Sequence, residues 1–349
     1  MSAGFKIADR AIGPGEPCFV IAEIGVNHNG SIEIAEQMIA AARQAGADAV
    51  KFQTFRADRL VVRDTPTAAY QRTNTGQTNQ HQMLSNLELD AKAHERLLNY
   101  CSAKGIIFLS SPFDRESIAL LNDLRVPAFK VPSPDCVSIS YLTEMGKCGR
   151  PVILSTGMCT MEEVLLGIST LRNAGCDDIA VLHCTSCYPA PLDELHLRAI
   201  PLMQEATLLP IGYSDHSQGI EVVLAAVALG ACVIEKHFTL DRDLPGPDHR
   251  ASLEPDEFAA MVKGIRIVER SLGDARKEPQ PCEESSRLLG RRSLAAVRDM
   301  SPGEKVSKDD IILLRPGTGL APSLELEIIG KRLRRPVSAL TLYSMDDFE

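Results

Sequence analysis

Residues 19–46, FVIAEIGVNHNGSIEIAEQMIAAARQAG, contain the pattern from which the fold class can be predicted. The stretch opens with residues 19–24, a nearly continuous apolar run that is typical of a strand buried on both faces. After a short polar turn, Ser31 is placed to cap a helix in which apolar residues recur at helical spacing until Gly46. A strand followed by a helix is the repeating unit of proteins built on a parallel sheet.

Similar strand-like runs and helical patterns recur along most of the chain. The predicted strands are residues 19–24, 49–55, 106–111, 128–133, 152–157, 179–185, 209–214 and 232–238. The predicted helices are residues 31–46, 91–104, 114–124, 161–173, 195–205, 219–229 and 255–272. Such a series over about 250 residues is typical of a closed barrel. We therefore predict an α/β fold, a (β/α)8 TIM barrel, in residues 1–272.

Two segments depart from the repeat. Residues 57–88 are polar and too long for a simple connection, so we predict a loop over the mouth of the barrel. Residues 273–285 have the composition of a linker, and residues 286–349 form a small tail with short strand-like pieces. About 60 residues is small for an independent domain. We expect the barrel or a partner chain to support this tail.

The composition describes a globular protein and excludes several functional classes. The 349 residues, 44% of them hydrophobic, suit one large domain and one small one. The net charge of −9 disfavours nucleic-acid binding, although a local group of Lys and Arg can still bind an anion. We find no long apolar run and no signal peptide, so we expect no membrane partner and a cytoplasmic protein with reduced cysteines. We interpret the single CxxC, formed by Cys184 and Cys187, as two small residues at a strand end.

Polar side chains gather where each predicted strand ends, which in a TIM barrel is the face that carries the active site. Lys51 and Lys130 are cations suited to a phosphate or a carboxylate. Ser111, Ser133 and Ser214 add hydroxyl donors. Together these residues predict an anion-binding site. The alternative is that each lysine forms an ion pair inside the barrel.

The last predicted strand carries a second group of polar residues. Alternation along a strand places Glu235 and His237 on one face and Lys236 on the other. His216 ends the preceding strand, so two imidazoles could bind one metal ion and leave positions open for a substrate. Zinc, manganese and iron remain open on this pattern. The alternative is a pair of hydrogen-bonded structural histidines.

Glu23 and three other histidines complete the candidates. Glu23 is flanked by apolar residues and should face the barrel mouth, where it can hold substrate hydroxyls or act as an acid/base with a raised pKa. The alternative for Glu23 is an ion pair with Lys51. His28, His183 and His249 are weaker candidates for metal ligands.

These motifs, read in order, resemble a known family. The stretches in question are FVIAEIGVNHNG, GADAVKFQTF, FLSSPFD, KVPSPD, STGM, LHCTSCYPAP, GYSDHS and EKHFTLDRDLPGPDHRASLEP. They closely resemble the sialic acid (nonulosonate) synthase family. The tail RRSLAAVRDMSPGEKVSKDDIILLRPGTGL resembles the C-terminal antifreeze-like (SAF) domain of that family. The resemblance covers nearly the whole chain and therefore implies a TIM barrel followed by a SAF domain.

The resemblance implies a specific reaction. Family members condense phosphoenolpyruvate with an open-chain N-acetylmannosamine-type sugar, giving a nine-carbon nonulosonic acid, such as N-acetylneuraminate or N,N'-diacetyllegionaminate, and phosphate. A divalent metal ion, Mn²⁺ or Mg²⁺, is held by two histidines that match His216 and His237. Family members form a domain-swapped homodimer in which an arginine of the SAF domain, matching Arg315, reaches the partner's active site.

The resemblance also assigns roles to individual residues. The phosphoenolpyruvate-binding residues match Lys51, Gln53, Ser111, Lys130, Ser133, Ser186 and Ser214. The sugar-binding residues match Glu23, Asp135, Tyr188, Asp248 and Arg315. The residues at the reacting centre match Glu23, Glu235, His216 and His237, and either glutamate is a candidate proton donor.

Two departures from the family pattern bear on the sugar. Ser133-Pro134-Asp135 replaces a Ser-Gly-Glu found in many members, which shortens the acid and removes a backbone donor. Ser186 replaces a frequent asparagine. Residues 69–76 and the stretch GPDHRASLEP resemble legionaminate-type members more than strict N-acetylneuraminate synthases.

Three other interpretations remain open from the sequence. A 3-deoxy-octulosonate or heptulosonate synthase would share the barrel and the reaction logic, but it lacks a SAF tail such as residues 292–349. A metal-dependent pyruvate aldolase would release no phosphate. A non-catalytic carbohydrate-binding protein would have no reason to keep Lys51, Lys130, His216 and His237 together.

Overall fold

The structure is a computed structural model that describes residues 4–349, and it divides into two compact units, Met1–Gly273 and Asp274–Glu349. The strands of the first unit are β1 Phe5–Ile7, β2 Arg10–Ile12, β3 Phe19–Gly25, β4 Ala49–Thr54, β5 Ile107–Pro112, β6 Phe129–Val131, β7 Val152–Ser155, β8 Ile179–Cys184, β9 Ile211–Asp215 and β10 Val233–His237. Its α-helices are α1 Ile32–Gln44, α2 Ala57–Leu60, α3 Ala69–Thr75, α4 Gln80–Ser85, α5 Ala91–Lys104, α6 Arg115–Asp123, α7 Ile139–Lys147, α8 Met161–Asn173, α9 Ala199–Thr207, α10 Glu221–Ala228 and α11 Pro255–Leu272.

Strands β3–β10 form one eight-stranded sheet in which every described pairing is parallel. The hydrogen-bonded order is β5-β4-β3-β10-β9-β8-β7-β6. The first barrel strand, β3, therefore pairs with the last, β10. β5 and β6 lie next to each other at the seam without a ladder. The sheet is therefore a nearly closed barrel, and the TIM-barrel prediction is confirmed.

Alternation along the strands divides the core into two layers. Residues such as Val20, Ala22 and Ile234 face outward and pack under the helices. Residues such as Ile21 and Val233 face inward and fill the barrel interior. Because the register pairs Ile21 with Glu235 and Glu23 with His237, the inward face becomes polar towards the carboxyl ends of the strands. The site is thus an extension of the inner layer.

The antiparallel hairpin β1–β2 was not predicted from the sequence. Its residues Phe5, Ile7 and Ile12 join the inner apolar layer with Phe19 and Ala49, near the amino ends of the barrel strands. A barrel interior must be filled by side chains to exclude water. The hairpin therefore plugs the end of the barrel that lies away from the polar residues.

Gly212 in β9 shows how tightly the barrel interior is packed. A Cβ atom at this position would lie 2.4 Å from the carbonyl oxygen of Val233 and 2.5 Å from Cδ2 of Leu182. Both distances are far below van der Waals contact, and one of the atoms belongs to the backbone. A glycine is required here because two neighbouring strands approach this position closely.

All eight predicted strands are confirmed, and their ends shift by at most two residues; the fourth has a clear reason for its earlier end. That strand was predicted to reach residue 133, but β6 ends at Val131. Pro132 follows, and Ser133–Val137 form a 3-10 helix. The predicted helices 91–104, 161–173 and 255–272 match α5, α8 and α11 residue for residue.

Two parts of the first unit were predicted wrongly. Helix α7 was missed, although its buried residues Leu142 and Met145 lie three apart on one face. Residues 57–88 were predicted as a loop but contain α2, α3 and α4 with a small apolar cluster of their own. Because residues 57–88 are polar overall, their composition does not indicate this cluster. Its members are Val26, Phe55, Ala57, Met83, Leu84 and Leu87.

The second unit has a separate apolar core. Its described elements are α12 Glu284–Gly290, β11 Ser293–Ala296, β12 Ile311–Leu314 and α13 Glu325–Ile328. β11 and β12 pair antiparallel. The core consists of Leu294, Ala296, Met300, Val306, Leu320, Ile328, Leu333, Val337, Tyr343 and Phe348. The predicted linker 273–285 includes the first residues of α12, so regular structure begins slightly earlier than expected. Among residues 4–349, no helix combines the length and the apolar character needed to cross a membrane.

Candidate active site

A cavity of about 310 Å³ opens at the carboxyl ends of the barrel strands. Every one of the strands β3–β10, or the segment directly after it, contributes to its wall. The lining residues are Glu23, Lys51, Gln53, Ser111, Phe113, Lys130, Pro132, Ser133, Pro134, Ser155, Met158, Cys184, Ser186, Tyr188, Ser214, His216, Glu235 and His237.

Two lysines and two glutamates form a connected charge cluster at the base of this cavity. Lys51 Nζ lies 2.9 Å from Glu23 Oε2 and 3.8 Å from Glu235 Oε2. Lys130 Nζ lies 3.6 Å from Glu235 Oε1. All four residues are at least 95% buried. Each lysine is therefore ion-paired and also lines the cavity, so the ion-pair interpretation is confirmed and anion binding stays a prediction.

The pKa values of the two glutamates are shifted in opposite directions. Burial opposes the ionisation of Glu235, but Lys130, Lys51 and a hydrogen bond from Ser214 outweigh it and lower its pKa to about 2. Burial raises the pKa of Glu23 to about 7; the charge on Glu235 adds to this and Lys51 opposes it. Carboxyl groups whose pKa values are driven apart are suited to different roles. Glu235 stays ionised, whereas Glu23 can exchange a proton near neutral pH.

Hydroxyl groups surround the two ammonium groups. Lys51 Nζ donates to Ser111 Oγ at 3.2 Å, and Lys130 Nζ donates to Ser155 Oγ at 2.7 Å. The N–H of Gly157 donates to Ser133 Oγ at 3.0 Å. A Cβ at Gly157 would lie 2.2 Å from Ser186 Oγ and 2.9 Å from Ser133 Oγ, so glycine leaves room here. Cations, hydroxyls and a backbone amide together make a recess suited to a phosphate.

His216 and His237 lie on the other side of the cavity, with ring centroids 5.5 Å apart. His216 Nδ1 donates to the carbonyl oxygen of Thr185 at 2.8 Å, which leaves Nε2 with its lone pair. His237 Nδ1 is buried and has no hydrogen-bond partner among residues 4–349. Burial lowers the pKa of His237 well below its usual range, so its ring is neutral. Burial lowers the pKa of His216, but Cys184 and the hydrogen bond to Thr185 outweigh it and raise that pKa above its usual value. In its neutral form His216 offers Nε2 beside His237, and two such imidazoles fit the first ligands of a metal ion.

The part of the chain that the structure describes has no group of three or more His, Cys, Asp or Glu side chains placed to hold a metal ion. A centre on His216 and His237 would therefore have to take its remaining ligands from water or substrate oxygens. That arrangement is the open kind of site that the sequence predicts.

Aromatic rings and one carboxyl border the histidines. Tyr188 packs on His216 with centroids 4.2 Å apart, and Tyr70 of α3 stacks on Tyr188 at 5.4 Å. Asp248 is buried nearby, and burial raises its pKa to about 6, against the opposing charges of His216 and Lys51. The helices after β4 therefore reach the mouth of the barrel, as predicted for that segment.

The sequence profile of the NeuB family matches residues 38–277, and the profile of the SAF domain matches residues 291–349. The chain belongs to the NeuB family. The family match spans β4–β10 and so includes all but one of the strands that build the cavity. The SAF match covers most of the second unit, which confirms the predicted SAF domain.

Relatives of this NeuB chain are similar over nearly its full length. The N,N'-diacetyllegionaminic acid synthase of Legionella pneumophila is 45% identical over 95% of this chain and 95% of the relative. The N-acetylneuraminate-9-phosphate synthase of Homo sapiens is 37% identical over 93% of this chain and 90% of the relative. A crystal structure of N-acetylneuraminic acid synthetase from Leptospira borgpetersenii, 33% identical, has a TM-score of 0.73 and covers 82% of this chain and 95% of that one.

The structure of this NeuB chain brings most of the predicted site residues together. The cavity contains Glu23, Lys51, Gln53, Ser111, Lys130, Ser133, Ser186, Tyr188, Ser214, His216, Glu235 and His237. Asp248 and Asp135 are not in its wall, and Asp135 instead accepts a hydrogen bond from Ser138 Oγ at 2.8 Å. Arg315 is exposed at the end of β12 in the second unit.

Several lining residues received no role from the sequence. Ser155 and Cys184 are two positions after the inward-facing Ile153 and Leu182, so strand alternation alone could have placed them in the site. Phe113, Pro134 and Met158 carry no polar signal, and only the tertiary structure reveals that they form an apolar rim.

Partners outside the cavity are found for Lys236, His183 and His249. Lys236 faces outward and donates to Asp215 Oδ2 and to the carbonyl oxygen of Ser217, which confirms the predicted alternation along β10. His183 Nε2 bonds to the carbonyl oxygen of Leu195, and His249 Nδ1 bonds to Thr239 Oγ1. These contacts identify structural roles for residues that were weak ligand candidates.

His28 should make the fold sensitive to acid. Its Nδ1 accepts a hydrogen bond from the Gly30 N–H, and burial lowers its pKa from an ordinary 6.5 to about 4. The unfolded chain therefore binds a proton more readily, and stability falls as pH decreases from about 6.5 to 4. For this one group we expect a loss of about 3 kcal/mol across that window.

Urea unfolding at pH 7 and pH 4.5 measures this effect. His28→Asn keeps an acceptor for Gly30 but cannot be protonated, so the acid-induced loss should shrink in the variant. His196, which is exposed, provides the control substitution His196→Asn. An unchanged pH dependence in His28→Asn would contradict the assignment.

Proposed function

We propose that this NeuB chain condenses phosphoenolpyruvate with an open-chain N-acetylated mannosamine-type sugar and water, giving a nonulosonic acid and phosphate. The observation that supports this most is the division of one cavity into two ends. Buried Lys51 and Lys130 with their serines suit the phosphate and carboxylate of phosphoenolpyruvate. His216 and His237 suit a cation that binds the sugar's carbonyl oxygen.

The proposed reaction balances with one water molecule. A bond forms between C3 of phosphoenolpyruvate and the aldehyde carbon, while the aldehyde oxygen takes a proton. The oxygen of water adds at C2 with loss of one proton, which balances the proton taken by the aldehyde oxygen. The C2–O bond to phosphate then breaks as the C2 ketone forms, and the second proton of the water passes from the C2 hydroxyl to the phosphate. Glu23 is the carboxyl placed to exchange these protons, because its pKa of about 7 allows both states. Ionised Glu235 keeps Lys51 and Lys130 in place.

A divalent cation would supply Lewis-acid polarisation of the aldehyde when bound to His216 and His237. The fit rests on the free Nε2 of His216 and the neutral ring of His237. Mn²⁺ and Mg²⁺ are the ions that the family resemblance favours. An imidazole binds a metal ion only when its lone pair is not protonated. Binding of the cation to His216 and His237 should therefore weaken at acidic pH.

We further propose that the sugar is 2,4-diacetamido-2,4,6-trideoxymannose and the product N,N'-diacetyllegionaminate. The Legionella pneumophila relative that carries this name is 45% identical, whereas the human N-acetylneuraminate-9-phosphate synthase is 37% identical. Compared with N-acetylmannosamine, this sugar has a methyl group in place of a hydroxymethyl group and an acetamido group in place of the hydroxyl at C4. The apolar rim of Phe113, Pro134 and Met158 suits these groups better than it suits hydroxyls.

Phosphate release measures the proposed activity. Phosphoenolpyruvate is incubated with N-acetylmannosamine, its 6-phosphate or 2,4-diacetamido-2,4,6-trideoxymannose, before and after EDTA treatment. We expect the highest kcat/KM with the trideoxy sugar, loss of turnover with EDTA, and recovery with Mn²⁺. No phosphate release with any sugar would favour a carbohydrate-binding protein. Turnover after complete metal removal would refute the role of the two histidines.

We propose a domain-swapped dimer from the family resemblance, and substitution of Arg315 tests this proposal. Arg315→Ala should raise the KM for the sugar about tenfold and leave the KM for phosphoenolpyruvate within about twofold, as expected for the loss of a charged hydrogen bond to the sugar. If the KM for the sugar and the KM for phosphoenolpyruvate in Arg315→Ala both equal those of the parent protein, this role of Arg315 is contradicted.

A mixed dimer then distinguishes a swapped from an unswapped arrangement. Arg315→Ala and Glu23→Gln chains are co-expressed with different tags, and the heterodimer is purified. If Arg315 acts in the partner's site, one of the two sites has both native residues and activity at low sugar concentration returns. If Arg315 acts within its own chain, no site is complete and activity stays low.

A further inference from the structure

Three stacked rings join the helical insertion after β4 to the paired histidines. Tyr70 of α3 stacks on Tyr188 with centroids 5.4 Å apart and planes inclined by 26°. Tyr188 packs on His216 at 4.2 Å, and its ring meets His237 edge-on at 5.6 Å and 84°. Tyr188 therefore contacts both candidate ligands, and Tyr70 stacks on the ring of Tyr188.

Helix α3 is fixed by contacts that do not involve the rings. Asn74 Nδ2 donates to the carbonyl oxygen of Pro247 at 2.7 Å, which ties α3 to the loop that carries Asp248. The N–H of Ala68 donates to Gln71 Oε1 at 3.0 Å and caps the start of the helix. Tyr70 therefore projects from a restrained backbone, and its ring has a defined position against Tyr188.

The contacts of His216 with its own surroundings leave its ring some freedom to tilt, which a neighbouring ring can restrict. His216 Nδ1 lies 2.8 Å from the carbonyl oxygen of Thr185 and 3.8 Å from Cys184 Sγ. Both contacts are at the same nitrogen, so they hold one edge of the ring and still allow its plane to tilt. Packing of Tyr188 on the ring face restricts this tilt. Partners that orient a metal-binding imidazole strongly influence metal affinity.

We propose that Tyr70 is a positioning residue for the two-histidine centre: through Tyr188 it fixes the plane of His216 and thereby raises the affinity for a divalent cation. The inference rests on the proposed function only in assuming that His216 and His237 bind such an ion. It assigns a role in the site to the helical insertion, which contributes no residue to the cavity wall.

Tyrosine fluorescence measures cation binding directly, because the chain has six tyrosines and no tryptophan. Mn²⁺ bound beside Tyr188 should quench its emission in a saturable way, and calorimetry gives an independent Kd. Tyr70→Phe keeps the ring stack and Tyr70→Ala removes it, while both variants lose the same fluorophore. We expect Tyr70→Ala to bind Mn²⁺ about three- to tenfold more weakly than Tyr70→Phe, the range that one aromatic pair contributes. Tyr70→Phe should bind within about twofold of the parent protein.

Two further variants separate positioning from general stability. Tyr70→Leu retains apolar volume without an aromatic face and should also weaken Mn²⁺ binding, even if Tyr70→Ala fails to fold. Tyr100→Ala removes a tyrosine on α5, where Lys104 lies over the ring, and should leave the Mn²⁺ Kd unchanged.

The outcomes either support or overturn the proposal. Equal Mn²⁺ affinities in the Phe, Leu and Ala variants would overturn it, and so would an absence of Mn²⁺ binding by the parent protein. A weaker Kd in Tyr70→Ala that Tyr70→Phe restores would support it. Because no sugar or phosphoenolpyruvate is present, this result holds whether or not the proposed condensation is observed.

Discussion

Glu23→Gln is expected to lower kcat about 1,000-fold, within the range that general acid–base groups contribute. Glutamine keeps the size of the side chain and can still contact Lys51 and Gln53, but it cannot exchange a proton. The KM for phosphoenolpyruvate should change by less than about threefold, because Lys51 keeps Ser111 and Glu235 as partners. Steady-state phosphate release with both substrates varied provides the measurement.

A matched change on the surface controls for the loss of a carboxylate. Glu33 is exposed in the first turn of α1, so Glu33→Gln should retain parental kcat. Thermal unfolding of both variants verifies that they are folded. A Glu23→Gln enzyme with nearly parental kcat would exclude Glu23 as the proton-exchanging group and direct attention to Glu235 or a bound water.

Lys130→Met is expected to reduce kcat/KM for phosphoenolpyruvate about 1,000-fold, which corresponds to about 4 kcal/mol. Lys130 is 98% buried, and an ammonium group held there against an anionic substrate is poorly screened by water. Methionine fills nearly the same volume but provides no charge or hydrogen bond. The loss should appear mainly in the KM for phosphoenolpyruvate, with a smaller change in the KM for the sugar.

This substitution also decides between the two interpretations of the buried lysines. If Lys130 only neutralises Glu235, Lys130→Met should lower stability and leave the KM for phosphoenolpyruvate of the folded enzyme unchanged. If it binds substrate, KM should rise while the variant stays folded, because Glu235 retains Lys51 and Ser214. Lys147→Met on the exposed end of α7 is the matched control.

The order of strands and most site residues could be predicted from the sequence because both depend on local pattern. A strand in a parallel barrel is buried on both faces, so it appears as an apolar run whatever its neighbours are. A polar residue at the end of such a run, such as Lys51 or Glu235, is costly unless it has a function or a partner. These two rules placed His216 and His237 together before their distance was known.

Other features depend on contacts between distant segments and left no local signal. The hairpin β1–β2 is a barrel plug only because Phe5 and Ile12 meet the inward faces of the barrel strands. The pKa values of the two buried glutamates differ because Lys130 and Ser214 stabilise the charge of Glu235, whereas burial and the charge on Glu235 raise the pKa of Glu23. The apolar rim and the support of Tyr188 by Tyr70 likewise require the folded chain.

The barrel, the SAF tail and the set of polar residues at the strand ends could all be predicted from the sequence, because hydrophobic periodicity and short motifs are properties of consecutive residues. Three other properties emerge only in the folded chain: which carboxyl has the raised pKa, which lysine pairs with which glutamate, and that α3 reaches Tyr188 beside the histidines. Those properties arise from distances of a few ångströms between residues far apart in the chain, since electrostatic and packing energies depend on such distances and not on sequence order.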